Sequence, residues 1–392
     1  MSRRLLVGVL VVVVAAVGCA GWWYWVTRPA YRLARGQEAV ARGDWDAADL
    51  LVDQLEASGD SDRSALLRGE SLFAQKRYAE AVAAFNRVRD RGEIRRRAAL
   101  YSGRALLAMN EWAEASRLFA FVLDEEPDQL DALRGLAAVQ YDLGNLDQAR
   151  QHLRRVVEIA PRDGRAHRLI GLISKDMTEV DVACQAYRDA LAADLPDSFR
   201  RAVPGELAEC LVRQTEFKQA LEVLDEARAA GIAEDGARQA LRAECLWRLG
   251  RAGDALALLD PALRDHPTQA ELWLIRGRVH LDRQEFAQAL ADMEKAAALK
   301  PRDYDTQYQL ARAYAAAGRP DDARRQQQVA DGLRKTLDEL TRLSKDAMNK
   351  PLDAAIRLQL ARLCEQIDRP ELAAMWYRAA EQCRRGRAVP PP

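Results

Sequence analysis

One pattern returns about every 34 residues along most of this chain. Residues 111–127 read EWAEASRLFAFVLDEEP, 145–161 read NLDQARQHLRRVVEIAP and 285–301 read EFAQALADMEKAAALKP. Aligned on the central alanine, the series runs Ala48, Ala81, Ala115, Ala149, Ala183, Ala220, Ala255, Ala289, Ala323 and Ala373. The intervals are 33, 34, 34, 34, 37, 35, 34, 34 and 50. A fixed period of this length marks stacked supersecondary units, each burying its apolar face only against its neighbours.

Two further columns keep the same register. Twelve residues before the alanine stands a small residue: Gly36, Gly69, Gly103, Ala137, Gly171, Ala208, Ala243, Gly277, Ala311 and Ala361. Four residues after it stand Val52, Phe85, Phe119, Leu153, Tyr187, Leu224, Leu259, Met293, Gln327 and Tyr377. Each unit therefore reads as two helices. Helix A carries the small residue, which lets helix B come close. A short turn follows, often with glycine (Gly43, Gly144, Gly250, Gly318), and in helix B Ala115, Phe119 and Val122 share one face at i, i+4 and i+7. A proline such as Pro127, Pro161, Pro267 or Pro301 then stops the helix.

The arrangement resembles the tetratricopeptide repeat (TPR) family. Its pattern is met well in the eighth unit by Trp273, Gly277, Phe286, Ala289, Ala296 and Pro301, whereas Arg35, Arg68 and Arg276 stand where the family has leucine. The resemblance spans about residues 29 to 384. It implies an all-α fold, an α-solenoid of about ten stacked helix-turn-helix units whose concave groove binds peptides or other proteins. On this reading residues 29–330 hold units one to nine, 351–384 the last unit and 385–392 a flexible tail.

The interval of 50 leaves 16 residues beyond one period. Leu333, Leu337, Leu340 and Leu343 recur at helical spacing, so helix B of the ninth unit is expected to run on to about Lys345, with 331–350 an extended connector. Two readings stay open: the leucine stripe packs on the following unit, or it projects as an arm (331–348) that pairs with a partner or a second copy.

Residues 1–4 form a short tail, and residues 5–26, LLVGVLVVVVAAVGCAGWWYWV, contain no charge. Twenty-two residues at about 1.5 Å each give roughly 33 Å, enough for a hydrocarbon core of about 30 Å. Trp22, Trp23, Tyr24 and Trp25 fall where an interfacial aromatic belt belongs. The expectation is an uncleaved transmembrane signal-anchor, hence a single-pass membrane protein. Arg3 and Arg4 ahead of an apolar run also fit a cleavable signal peptide, and Ala16-Val17-Gly18-Cys19 loosely matches a lipobox that would make Cys19 a lipidated terminus. The short leading tail favours an extracytoplasmic body.

Chemistry-bearing patterns are absent from the sequence: no P-loop, G-x-S-x-G, H-E-x-x-H or C-x-x-C occurs. Lys plus Arg and Asp plus Glu each number 59, so charge balance does not point to nucleic acid. His167 takes the slot of Trp273 and reads as a packing residue, and Cys210 and Cys245 read as structural thiols in one repeated slot. No catalytic, cofactor or metal site is expected. The expected function is a membrane-tethered scaffold for protein or peptide partners, with a structural subunit of an envelope or secretion machine as the alternative.

In the resembled family the residue after the small position often faces the groove. That slot holds Arg104, Glu209, Glu244, Arg278, Arg312 and Arg362, with Trp247 and Tyr308 on neighbouring groove-facing slots. Repeated arginines suit acidic side chains of an extended ligand. The Lys and Asn residues by which some members clamp a terminal carboxylate are not at the matching slots.

The anchor reading has a direct check. Deleting residues 1–28 should release a helical body from carbonate-washed membranes; a truncated chain that stays in the pellet contradicts the anchor.

Overall fold

The structure, a computed structural model, describes residues 28–350 and 353–384. The expected membrane segment 5–26, the lipobox cysteine and the 385–392 tail lie outside the described residues. Among the described residues no helix is long and apolar enough to cross a membrane. Apart from one isolated bridge between Asp163 and Asp194, every regular element described is a helix.

The helices alternate as A and B in ten repeats. The first five are Pro29–Arg42 with Trp45–Ala57, Ser61–Ala74 with Tyr78–Phe85, Glu93–Ala108 with Trp112–Glu125, Leu130–Asp142 with Leu146–Ile159, and Gly164–Asp176 with Val180–Ala192. After the short helix Asp197–Arg200 come Val203–Arg213 with Phe217–Ala229, Gly236–Arg248 with Ala252–Asp265, and Ala270–Asp282 with Phe286–Leu299. Tyr304–Ala316 with Pro320–Asn349 and Ala354–Gln366 with Pro370–Arg384 complete the series. The chain forms two compact units, one ending at Val139 and the other beginning at Gln140.

The two sequence columns meet in space. A Cβ placed on Gly103, Gly171 or Gly277 would lie 2.8, 2.7 or 3.1 Å from the side chain of Phe119, Tyr187 or Met293, each sixteen residues later in the same repeat. Gly69 meets Phe85 in the same way. These large side chains are almost wholly buried, as is the central alanine in every repeat but the ninth. There Gln327 replaces the bulky residue and Ala323 is left half-buried. The tenth repeat departs differently. Tyr377, expected in the packing column, is 37% exposed, and its neighbour Trp376 is buried instead.

One feature of the A–B turn exceeds what the sequence announces. Five residues before each central alanine the backbone is left-handed in all ten repeats. Glycine supplies it at Gly43, Gly144, Gly250 and Gly318, with φ between 74 and 80°. Lys76, Asn110, Thr178, Thr215, Gln284 and Asp368 adopt it with φ of 55–63°. The residue after it sends its N–H back to helix A, as in Glu179 to Ser174 at 2.8 Å, so the packing of A on B imposes a conformation that side chains disfavour.

Polar slots on helix A also have a repeated use. Trp273 Nε1 donates to the Pro267 carbonyl at 2.9 Å, and His167 Nε2 makes the same bond to Pro161 at 2.9 Å. Gln307 and Arg357, in the same slot, donate to the carbonyls of Lys300 (3.2 Å) and Lys350 (3.3 Å). His167 is thus a donor that satisfies a carbonyl at the exit from helix B, where the helix itself leaves acceptors unpaired. Of the arginines that replace leucine, Arg35 pairs with Glu38 on its own helix at 2.7 Å, whereas Arg68 and Arg276 reach acids on helix B. Arg276 holds the buried Asp292 through two bonds of 2.7 and 2.8 Å, and Arg68 lies 3.4 Å from Glu56.

The ninth repeat's helix B runs unbroken to Asn349, a few residues past the expected end. Leu340 and Leu343 pack on Ile356, Leu360 and Trp376 of the last hairpin, so the far half of the stripe serves the following repeat. Leu333 and Leu337 stay half-buried.

The strained turn is testable. Thr178→Gly removes a β-branched side chain from a left-handed site and should stabilise its turn by about 1 kcal/mol, slowing local amide exchange roughly fivefold. Asn110→Gly should change little, because asparagine tolerates this conformation. Faster exchange in Thr178→Gly would contradict the strain.

Candidate functional site

The second compact unit contains a cavity of about 230 Å³ lined by Val212, Phe217, Glu244, Trp247, Arg248, Arg278, Leu281, Asp282, Gln309 and Arg312. Four of the residues expected in a groove, Glu244, Trp247, Arg278 and Arg312, are brought together here. They come from helix A of the seventh, eighth and ninth repeats, because a stack with a period near 34 sets equivalent positions side by side.

Arg278 is neutralised within the protein. It pairs with Asp305 of the next repeat and lies 3.8 Å from Glu244. Burial pushes the Glu244 carboxyl above the usual carboxylate range, and Arg278 opposes that shift. Trp247 donates its indole N–H to Asp282 at 2.8 Å, fixing the ring as a wall.

Arg248 and Arg312 are different. Arg248 lies over the Phe217 ring at 4.9 Å and the Trp247 ring at 5.6 Å, and Arg312 donates to the Gln309 side-chain oxygen at 3.0 Å. Among the described residues neither has a carboxylate at ion-pairing distance, and both are exposed. Arg248 acts on Glu244 only beyond ion-pairing distance, so two guanidiniums without an ion-pair contact stand beside an aromatic wall and suit an anion attached to an apolar group.

The remaining expected residues sit elsewhere. Glu209 is held by Lys175 at 3.1 Å and Arg213 at 3.0 Å. Tyr308 stacks on Tyr304 at 5.9 Å. Arg362 belongs to the last hairpin, where its charge acts on Tyr377. None of these three lines the cavity. Arg104 lies in the first compact unit, its guanidinium 5.1 Å from the rings of both Phe73 and Tyr101, beside a separate cavity of about 350 Å³. Sequence reading missed Arg248 and Phe217, since neither falls on the slot next to the small residue.

The described cysteines are free, and burial pushes the Cys210 and Cys245 thiols up to about 12, which suits packing groups rather than nucleophiles. No set of three His, Cys, Asp or Glu among the described residues is placed to hold a metal ion.

The chain is 31% identical over 190 residues to cellulose synthase operon protein C of Xanthomonas axonopodis pv. citri (strain 306), covering 48% of this chain and 10% of that protein. It is 29% identical over 178 residues to cellulose synthase 2 operon protein C of Komagataeibacter xylinus, covering 43% and 12%. The matches thus span only about a tenth of those relatives' length. A tetratricopeptide repeat protein from Parabacteroides merdae ATCC 43184 superposes with a TM-score of 0.43 at 15% identity, covering 64% of this chain and 97% of that one. Tetratricopeptide repeat signatures match residues 33–93, 106–173, 206–270, 241–304 and 276–335. With helical hairpins in the register those signatures require, the chain belongs to the tetratricopeptide repeat family.

Proposed function

We propose that this protein is a membrane-tethered scaffold whose repeats six to nine hold an acidic, extended segment of a partner protein. The observation that carries the reading is the pair Arg248 and Arg312, two exposed guanidiniums without an ion-pair contact among the described residues, facing one cavity with Trp247 and Phe217. Glutamate or aspartate side chains of the ligand take the place of the missing carboxylates, and an apolar residue stacks on the aromatic wall. Arg278 acts in support by holding Glu244 and Asp305 in place.

Tethering rests on the uncharged run of residues 5–26, with the repeats on the extracytoplasmic side. No catalytic step is assigned to the chain. The two relatives named for cellulose synthase operons make a place beside a polysaccharide synthase the first setting to test, by crosslinking in native membranes followed by mass spectrometry.

The groove has its own test with a fluorescein-labelled decapeptide of alternating glutamate and leucine. Changing Arg248 and Arg312 together to glutamine should leave helicity intact and weaken binding about tenfold at low salt, with a shallower salt dependence. The same affinity and salt dependence in the double variant would remove this assignment.

A further inference from the structure

Helix B of the second repeat, Tyr78–Phe85, has 8 residues, whereas helix B has 13 to 15 in every other repeat except the ninth. The period is nevertheless kept, at 34 residues between Ala81 and Ala115, so a non-helical stretch replaces the last turn of that helix. Two bonds hold the stretch in place. The Val88 N–H donates to the Phe85 carbonyl at 3.0 Å, and the Arg89 N–H to Asp62 of helix A at 2.8 Å. Side chains that a longer helix would have laid on the third repeat are not there, and a cavity of about 190 Å³ opens instead.

Its walls are Phe85 and Val88 on one side and Leu118 and Phe121 of the third repeat's helix B on the other. Helix A of the third repeat adds Arg95, Ala98, Ala99 and Ser102, which share one helix face at i, i+3, i+4 and i+7. A different face of the same helix, with Arg97, Tyr101 and Arg104, lines the other cavity of this compact unit.

Two of these residues have unused bonding capacity. Ser102 is 3% exposed, and its hydroxyl has no hydrogen-bond partner among the described residues. A hydroxyl buried in that state costs free energy, which a polar atom of a ligand recovers. Arg95 is exposed, lies 5.5 Å from the centre of the Phe121 ring and has no carboxylate at ion-pairing distance among the described residues. Among the described residues lining the cavity, Arg95 alone is charged. Ser102 and Arg95 stand two helical turns apart, about 10 Å along the axis.

We propose that this cavity binds a small phenolic acid: a 4-hydroxyphenyl ring joined through a short chain to a carboxylate. The ring lies among Phe85, Leu118 and Phe121, the phenolic hydroxyl pairs with Ser102, and the carboxylate meets Arg95 at the rim. An apolar cavity of about 150 Å³ is enough for a benzene ring, so this one takes a ring with a short tail and leaves no room for a peptide backbone. The site is separate from the groove of repeats six to nine and does not depend on it.

The test is isothermal titration of the full chain with 3-(4-hydroxyphenyl)propionate, which should bind saturably at a single site. 3-Phenylpropionate, which lacks the hydroxyl, should bind about fivefold more weakly. Ser102→Ala suits a helix interior and should bind the two acids alike. Arg95→Gln should weaken both acids about tenfold and leave the uncharged 3-(4-hydroxyphenyl)propanol unaffected. The tripeptide Gly-Gly-Tyr, too large for the cavity, should bind at least about tenfold more weakly than the free acid. No saturable binding, the same fivefold preference in Ser102→Ala, unchanged affinity for the acids in Arg95→Gln, or equal binding of the tripeptide overturns the assignment.

Discussion

The fold depends on one contact made again and again: a small residue on helix A against a large side chain sixteen residues later on helix B. Gly69 with Phe85, Gly103 with Phe119, Gly171 with Tyr187 and Gly277 with Met293 are four instances of it. The missing Cβ sets how near the two helices come, and the large side chain fills the space that remains. Closing that contact also dictates the A–B turn. The backbone enters the left-handed region in every repeat, at threonine and glutamine as readily as at glycine, because the packing outweighs the local strain. Where the contact is lost, as at Gln327 and Ala323, helix B still pairs with its own helix A but runs on to pack on the last hairpin as well.

Function occupies what this contact leaves over. Helix A spends one face on its small residue and another on donors such as Trp273 and His167, which satisfy carbonyls at the exit from helix B. The positions that remain on helices A of repeats seven to nine, with Val212 and Phe217 from the sixth, form a cavity whose acids are held internally while two of its arginines make no ion-pair contact. That imbalance is a property of neighbouring repeats acting together. No single repeat contains it.

Period, helix pairing and the buried columns were legible in the sequence because they follow from identity at fixed spacing. The left-handed turn was legible only where glycine stands; Thr178 and Thr215 carry no such mark. The partners of several polar residues were hidden for a different reason, since they lie one repeat away. Lys175 with Glu209, Tyr141 with Asp176 and Trp247 with Asp282 are 34, 35 and 35 residues apart, so a search for complementary groups at one period would have found them. The approach of Arg278 to Glu244, 34 residues apart, follows from the same rule, whereas its partner Asp305 lies 27 residues on. Trp376 in place of Tyr377, and the contact of the last hairpin with Gly144, answer to no periodic rule, because the long helix breaks the register before them.

The most direct measurement is a double-mutant cycle on the central contact, with unfolding free energies from urea titration of the full chain. Gly103→Ala should destabilise the chain by about 1–3 kcal/mol because its Cβ meets the Phe119 ring, and Phe119→Leu should cost a similar amount through lost packing. If the two residues set the helix spacing together, the combined variant should be more stable than the sum of the single effects by at least about 1 kcal/mol, since leucine vacates the space that alanine needs. Strict additivity of the two changes would contradict the account.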